Sequence, residues 1–399
     1  MSQLPEPSFD GMQHQTQIYL RGLTGHRSAV PISLLHLEER ARLALPPAAW
    51  DYVAGGAGSE DTMRANRHAF RQWRIVPRML RDVSQRDLGI ELLGLRLPAP
   101  VLLGPVGVQS IVHAEAELAS ARAAASLGVP FVYSTAASRT IEQVAQAMGP
   151  APRWYQLYWS RDQEIAASMV GRAERAGYSA VVVTLDTTIL GWRPRDLDRA
   201  YLPFFQGEGV ACFFSDPVFR SRLVAPPEQD PVAAIRLWGT IFGHSALNWK
   251  DLPFLRRHTR LPILLKGIVH AEDAAKAVEC GVDGIIVSNH GGRQVDGAIG
   301  ALEALPKVVD AVGGKIPILF DSGIRQGADA FKALALGARA VLLGRLYVYG
   351  LAIAGEEGVR EVVQNFLADF DLTLALSGYR SCAELSPAAL VRQAEPDLS

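Results

Sequence analysis

The stretch Gly284-Ile-Ile-Val-Ser-Asn-His290-Gly-Gly-Arg293-Gln-Val-Asp296 ends a buried-looking apolar run in a turn of polar side chains. His290 is the group there that can take and return a proton near neutral pH. Asp186 could hold its ring and favour the protonated form. Arg193 and Arg293 are cations and Tyr52 and Tyr158 are neutral donors. Together the four suit a small carboxylate, gripped by planar guanidiniums and phenols. A second set reads Asp321-Ser-Gly323-Ile-Arg325 and Gly344-Arg345. Its glycines let backbone N–H groups turn inward, a helix from Gly327 would offer its N-terminal dipole, and two arginines can pair with oxygens. That is phosphate chemistry, against the plainer reading of Gly344-Arg345 as a tight turn with a surface arginine. Lys266 has two readings, a Schiff-base nucleophile or a fixed cation beside a cofactor.

These residues need a scaffold that presents strand ends together. Eight apolar runs occur, at 101–107, 129–135, 153–158, 180–186, 262–268, 284–290, 317–323 and 340–345. Alanine-rich helical segments separate them, at 114–127, 140–148, 161–176, 271–280, 301–312, 327–336 and 358–376. Eight strands alternating with helices predict a (β/α)8 TIM barrel, an α/β fold whose catalytic face lies at the strand C-termini. Each candidate residue above, apart from Tyr52, falls at or just beyond such an end. So do Pro105-Val106-Gly107, Ser134, Ala136, Gln156, Thr184 and Ser288. The interval from Asp186 to Leu261 is far too long for one helix. It is rich in aromatics and prolines, and is read as a lid or binding loop, its aromatics serving packing more than substrate contact. The organisation expected is a 1–99 extension and cap, then a 100–399 barrel with an insertion at about 194–258. In the extension, 1–30 reads as an irregular arm, 32–52 and 59–75 as helical, and 81–99 as a small hairpin closing one end of the barrel.

The totals narrow the class. Among 399 residues, 49% are hydrophobic and 20% charged, with a net charge of −1, which gives no electrostatic case for nucleic acid or an anionic membrane. Three scattered cysteines, Cys212, Cys280 and Cys382, indicate neither a disulfide framework nor a metal site. The first residues lack the basic and apolar regions of a signal peptide, and no apolar run reaches the roughly 18 residues of a membrane span. A cytoplasmic location is the expectation.

Taken together, Tyr52…Gly55-Gly56-Ala57, Gln156-Leu-Tyr158, Thr184-Leu-Asp186-Thr, Lys266-Gly-Ile, Ser288-Asn-His290-Gly-Gly-Arg293-Gln and Asp321-Ser-Gly-Ile-Arg325 resemble the FMN-dependent α-hydroxy-acid oxidising family. That family includes glycolate oxidase, lactate oxidase and mandelate dehydrogenase. The resemblance runs from about residue 30 to 385. Leu45-Pro-Pro, Gly191-Trp-Arg-Pro-Arg-Asp-Leu197, the insertion and Phe242-Gly-His-Ser look most like its lactate 2-monooxygenase branch.

The resemblance implies FMN across the barrel mouth. Its phosphate would rest on Gly323, Arg325, Gly344 and Arg345. Its ring would touch Pro105, Val106, Gly107, Ser134, Gln156 and Thr184, with Ser288 and Asp321 also on the cofactor side. Lys266 would be the fixed cation. Tyr52, Arg193 and Arg293 would bind a carboxylate, with Tyr158 on the substrate hydroxyl. His290, oriented by Asp186, would take the hydroxyl proton as the α-hydrogen passes to flavin; removal of the α-proton by His290 is the alternative. Ala136 stands where relatives carry Trp or Leu, so the 2-hydroxy acid is expected to be lactate-like or bulkier. Leu346 replaces a family proline, with only a local backbone effect expected. Oxygen would be the acceptor, the outcome oxidative decarboxylation as in the monooxygenases, or release of keto acid and peroxide as in the oxidases. A dehydrogenase with another acceptor is disfavoured, because the insertion lacks a cationic amphipathic membrane-binding stretch. An isomerase or aldolase would need Lys266 as nucleophile, and a mere phospho-ligand binder would leave the Arg–Tyr–His set idle. A homo-oligomer, tetramer or octamer, is also implied.

Overall fold

Eight short parallel strands, buried along nearly their whole length, close on one another in the computed structural model, which describes residues 9–393. They are β1 (Val101–Leu103), β2 (Phe131–Ser134), β3 (Arg153–Leu157), β4 (Val181–Thr184), β5 (Ile263–Ile268), β6 (Gly284–Val287), β7 (Ile318–Phe320) and β8 (Ala340–Leu343). The ring closes where Val341 pairs with Val101 and Leu343 with Leu103. Side chains alternate across the wall, as strand geometry requires. Leu102, Val132, Trp154, Val182, Leu264, Ile286, Leu319 and Leu342 form one inner apolar cluster, and their neighbours face the helices. The expected TIM barrel is therefore the fold. The apolar runs overshoot the strands: β1 leaves the sheet at Gly104, so Pro105-Val106-Gly107 is loop.

The hairpin Ile90–Leu92 and Leu95–Leu97 joins the inner cluster through Ile90, Leu92 and Leu97. It packs with Ala180 and Ala340, at the strand starts, and so closes the end of the barrel opposite the candidate residues.

Several boundaries differ from expectation. The arm is not irregular over its described part. Gly11–Leu23 is a helix, capped by the Asp10 carboxylate on the Met12 and Gln13 amides and pinned where Gly11 N donates to Asp371. Residues 1–8 and 394–399, including the signal-peptide reading, lie outside the described residues. The helix expected at 59–75 spans Asp61–Arg71, and Trp73–Ile75 is instead a strand paired antiparallel with Leu390–Arg392. The last helix starts at Arg345, not 358, and runs to Leu376 with a break at Ala354 and Gly355. Gly355 holds φ +59°, and a Cβ there would meet the His113 ring at 2.9 Å.

The insertion is not a loose lid. It folds into short helices, Pro194–Asp198, Ala211–Phe214, Pro217–Ser221, Pro231–Ile241 and Leu252–His258. Cys212, Phe213, Phe219 and Trp238 sink into the main core. A buried ion pair fastens it: Arg172, on helix Gln163–Arg175, lies 3.2 Å from Asp216 and 2.9 Å from Glu142. Both acids face one guanidinium and hold its pKa above the usual arginine value despite burial.

Candidate active site

The strand ends and the insertion enclose a cavity with ≈ 1130 Å³ of atom-free space, including its open mouth. Of the sequence candidates, Tyr52, Pro105, Val106, Gly107, Ala136, Tyr158, Arg193, Lys266, His290, Arg293, Asp321, Gly323, Arg325, Gly344 and Arg345 line it. Tyr52 arrives from outside the barrel, on helix Pro47–Ala54.

His290 sits in the turn after β6 with φ +57°, a left-handed conformation that is uncommon outside glycine. The turn is tied from beneath, because the Ser288 hydroxyl accepts from His290 N at 3.0 Å and the Ser322 hydroxyl from Gly291 N at 2.9 Å. The ring then meets Asp186, with Nδ1 2.7 Å from Oδ1. Burial raises the Asp186 pKa, but His290, Lys266 and Thr187 outweigh it, and the carboxyl stays below its ordinary value. An ionised carboxylate only accepts, so Nδ1 carries the proton and Nε2 the lone pair. Nε2 faces Tyr158 Oη at 3.4 Å. Burial also pulls the His290 pKa below 6.5, against the upward pull of Asp186, and the ring is a neutral acceptor at pH 7.

Arg293 stacks over the Tyr52 ring, its guanidinium carbon 5.1 Å from the centroid, and donates to Tyr52 O and Gly55 O at 2.7 Å each. Arg193 Nε donates to Arg293 O at 3.1 Å. The sequence motif contained Gln294 without assigning it a role, and it proves central. Its Oε1 accepts from Arg193 Nη2 at 2.9 Å and Gly191 N at 3.4 Å, and its Nε2 donates to Asp186 O at 2.7 Å and Ile189 O at 2.9 Å. One amide thus braces both the carboxylate-side cation and the backbone of the His290 partner. No local signal in the sequence reveals this, since its partners lie about a hundred residues away.

Ser134, Gln156, Thr184, Asp186 and Ser288 do not line the cavity. Ser134, Gln156 and Thr184 form a buried chain across three neighbouring strands: Ser134 Oγ donates to Gln156 Oε1 at 3.0 Å, and Gln156 Nε2 to Thr184 Oγ1 at 2.9 Å. Lys266 Nζ donates to Ser288 Oγ at 2.9 Å and lies 3.2 Å from Asp321. Burial pulls the Lys266 pKa down, but Asp321 and Asp186 more than restore it, so the amine is a held cation and a poor nucleophile. This disfavours the Schiff-base reading.

The phosphate end differs from expectation in one respect. The N-terminal amides of helix Gly327–Ala335 are already taken. Asp329 accepts from Arg325 N and Gln326 N, and Asp369 from Gly327 N. The helix that starts at Arg345 has no side-chain cap, and Gly344 and Arg345 line the cavity at its N-terminus. Around this end the cations exceed their partners. Burial and mutual repulsion, with Arg193 and Arg345, push Arg293 down to about 9, and Arg345 is brought down to about 10 by burial and the nearby Arg325. Buried, crowded guanidiniums beside an uncapped helix N-terminus fit a phosphate and a carboxylate, the two anions that FMN and an acid would bring. Among the described residues no cluster of His, Cys, Asp and Glu could hold a metal, and no helix is long and apolar enough to cross a membrane.

Comparison with known proteins agrees with this donor set. The FMN-dependent dehydrogenase family profile matches residues 41–392. An FMN-dependent α-hydroxy acid dehydrogenase of Penicillium citrinum is 46% identical over 387 residues, 96% of each chain. An L-lactate oxidase of Lysinibacillus sphaericus is 45% identical over 375 residues, 94% of this chain and 96% of that one. The crystal structure of mandelate oxidase with (S)-4-hydroxymandelic acid superposes with a TM-score of 0.81 at 37% identity, covering 92% of this chain and all of that one. The chain therefore belongs to the FMN-dependent dehydrogenase family of α-hydroxy-acid oxidases and dehydrogenases, and it is an enzyme whose cofactor is FMN.

Proposed function

We propose that the protein oxidises an L-2-hydroxy acid, lactate-like or bulkier, and delivers the electrons to O2. The observation that carries this reading is the placing of a neutral, aspartate-held His290 Nε2 in one cavity with Arg193, Arg293 and a phosphate cradle. FMN, when bound, supplies the two-electron acceptor. Gly323, Arg325, Gly344 and Arg345 would hold its phosphate, Pro105, Val106 and Gly107 would flank its ring, and the Ser134–Gln156–Thr184 chain would support it. Lys266 would hold positive charge at the cofactor. Arg193 and Arg293 orient the substrate carboxylate, with the Tyr52 hydroxyl as a third donor kept protonated by burial. Tyr158 fixes the substrate oxygen. His290 Nε2 takes the hydroxyl proton, and Asp186 stabilises the imidazolium that results.

A monooxygenase outcome, with keto acid and peroxide held together until they give a shorter acid, CO2 and water, is supported by the cover that Phe204 and Phe242 of the insertion give the cavity. Release of keto acid and peroxide is the second reading, supported by the relative named as an L-lactate oxidase. The purified protein should be yellow and bleach on anaerobic addition of an L-2-hydroxy acid; a preparation that binds FMN and bleaches with none of these acids overturns the proposal. Oxygen uptake with catalase separates the two outcomes, because catalase returns oxygen only when peroxide escapes. Residues 100–399 are read as the FMN-binding barrel and 1–99 as its cap.

A further inference from the structure

Besides the phosphate residues, two chemically distinct groups of side chains line the cavity. One is Arg193, Arg293, Tyr52 and His290. The other, Ala136, Leu190, Phe204 and Phe242, offers no charge and no side-chain hydrogen bond. Phe204 and Phe242 come from the insertion, and neither is free to move inward. Phe204 stacks on Trp238 at 4.7 Å and 26°, and Trp238 on Phe242 at 4.7 Å and 28°. Trp238 is 3% exposed and its indole N–H has no acceptor, so it serves as a packing slab. Phe242 also meets Tyr158 edge-on at 5.4 Å. A Cβ at Gly209 would lie 2.9 Å from both Ala136 O and Phe204, so both crowd the same glycine. The insertion itself is pinned to the barrel by Arg172 and Asp216.

A rigid aromatic wall cannot close around a methyl group, and a small acid would leave it poorly filled. A flat ring fills such a space and gains edge and face contacts. We propose that the insertion builds a preformed side-chain subsite selecting 2-hydroxy acids that carry an aryl or arylmethyl group, with Phe204 and Phe242 as the specificity-determining residues. This rests on the hydroxy-acid reading above and extends it to the substrate's far end.

The test is anaerobic flavin reduction and steady-state turnover of the holoenzyme with glycolate, L-lactate, (S)-mandelate and L-3-phenyllactate. An aryl acid should exceed lactate in kcat/KM by about tenfold or more, the scale on which a filled apolar pocket discriminates. F204A and F242A should each erase most of that ratio, and A136L should invert it towards the smaller acids. W238F should keep the ratio and W238A should lose it. The FMN spectrum and melting temperature establish that each variant is folded, and the conservative F204L serves if F204A is not. Preference for glycolate or lactate, or aryl selectivity unmoved in F204L and F242A, overturns the inference while leaving hydroxy-acid oxidation standing. Absence of reduction by all four acids removes the underlying reading as well.

Discussion

His290 Nδ1 lies 2.7 Å from Asp186 Oδ1, and the imidazole reaches that position from a left-handed backbone, φ +57°. The strain and the bond belong together, because the turn of two glycines after β6 delivers the ring across to the end of β4. Replacing His290 with Gln should slow flavin reduction by about 10²- to 10⁴-fold, the usual contribution of a positioned base, with FMN still bound. Stopped-flow reduction checks this, and near-normal rates would remove His290 from the chemistry.

The pH dependence has a defined sign. His290 accepts a proton only when neutral, and burial holds its pKa below 6.5 against the raising effect of Asp186. Activity should therefore persist through neutral pH and fall as pH drops through this lowered value. Asp186→Asn removes the upward pull, so the acid limb of kcat/KM should move to lower pH while the plateau drops by about a hundredfold or more. A limb displaced to higher pH would contradict the assignment.

Gln294 saturates its amide with four partners on two functional groups. Gln294→Leu removes the partner of these part-buried and exposed donors and acceptors, at up to about 1–3 kcal/mol each. It should raise KM for the acid tenfold or more through a loosened Arg193, and lower kcat through a shifted Asp186. A rise in neither parameter's cost would reduce Gln294 to a packing residue.

Removal of FMN should lower thermal stability. The neighbouring Arg325 and Arg345 cations lose their anionic counterpart in the apoprotein. Ligand at a hundred times its Kd stabilises by about 2.7 kcal/mol, and differential scanning fluorimetry with titrated FMN reads the shift. The Arg345→Met variant should need at least tenfold more FMN for the same shift.

Asp216→Ala should destabilise the fold by about 1–3 kcal/mol, because it removes one of the two carboxylates facing the Arg172 guanidinium and leaves Glu142 as the other. Urea denaturation measures this; a change under 1 kcal/mol would mean that water reaches Arg172.

The barrel was legible because strands covered on both faces must be apolar throughout, and eight such runs stand out between alanine-rich helices. The site was legible where its chemistry is local: Ser288 to Arg293 fall in one turn. What escaped were relations made across the fold. The Gln294 brace spans about a hundred residues. Which helix keeps a free N-terminus depends on Asp369, a distant acid that fills the other one. The pair of strands at 73–75 and 390–392 is too short for periodicity to mark. The helix Gly11–Leu23 is mostly exposed and mixes Met12, Tyr19, Leu20 and Leu23 with polar residues on its surface, so no clean apolar face marked it.

That last strand pair has a consequence for how the enzyme is made. Trp73–Ile75 follows directly on the helix whose Asn66 exchanges two hydrogen bonds with Asn289, beside His290. Its partner, Leu390–Arg392, is synthesised after every strand of the barrel, and β1 likewise waits for β8. An unfinished chain cannot complete the barrel or anchor the catalytic turn, whatever local helices it has formed. Cofactor capture should thus wait until residue 392 has emerged, and nascent chains stalled before that point should show no protected flavin.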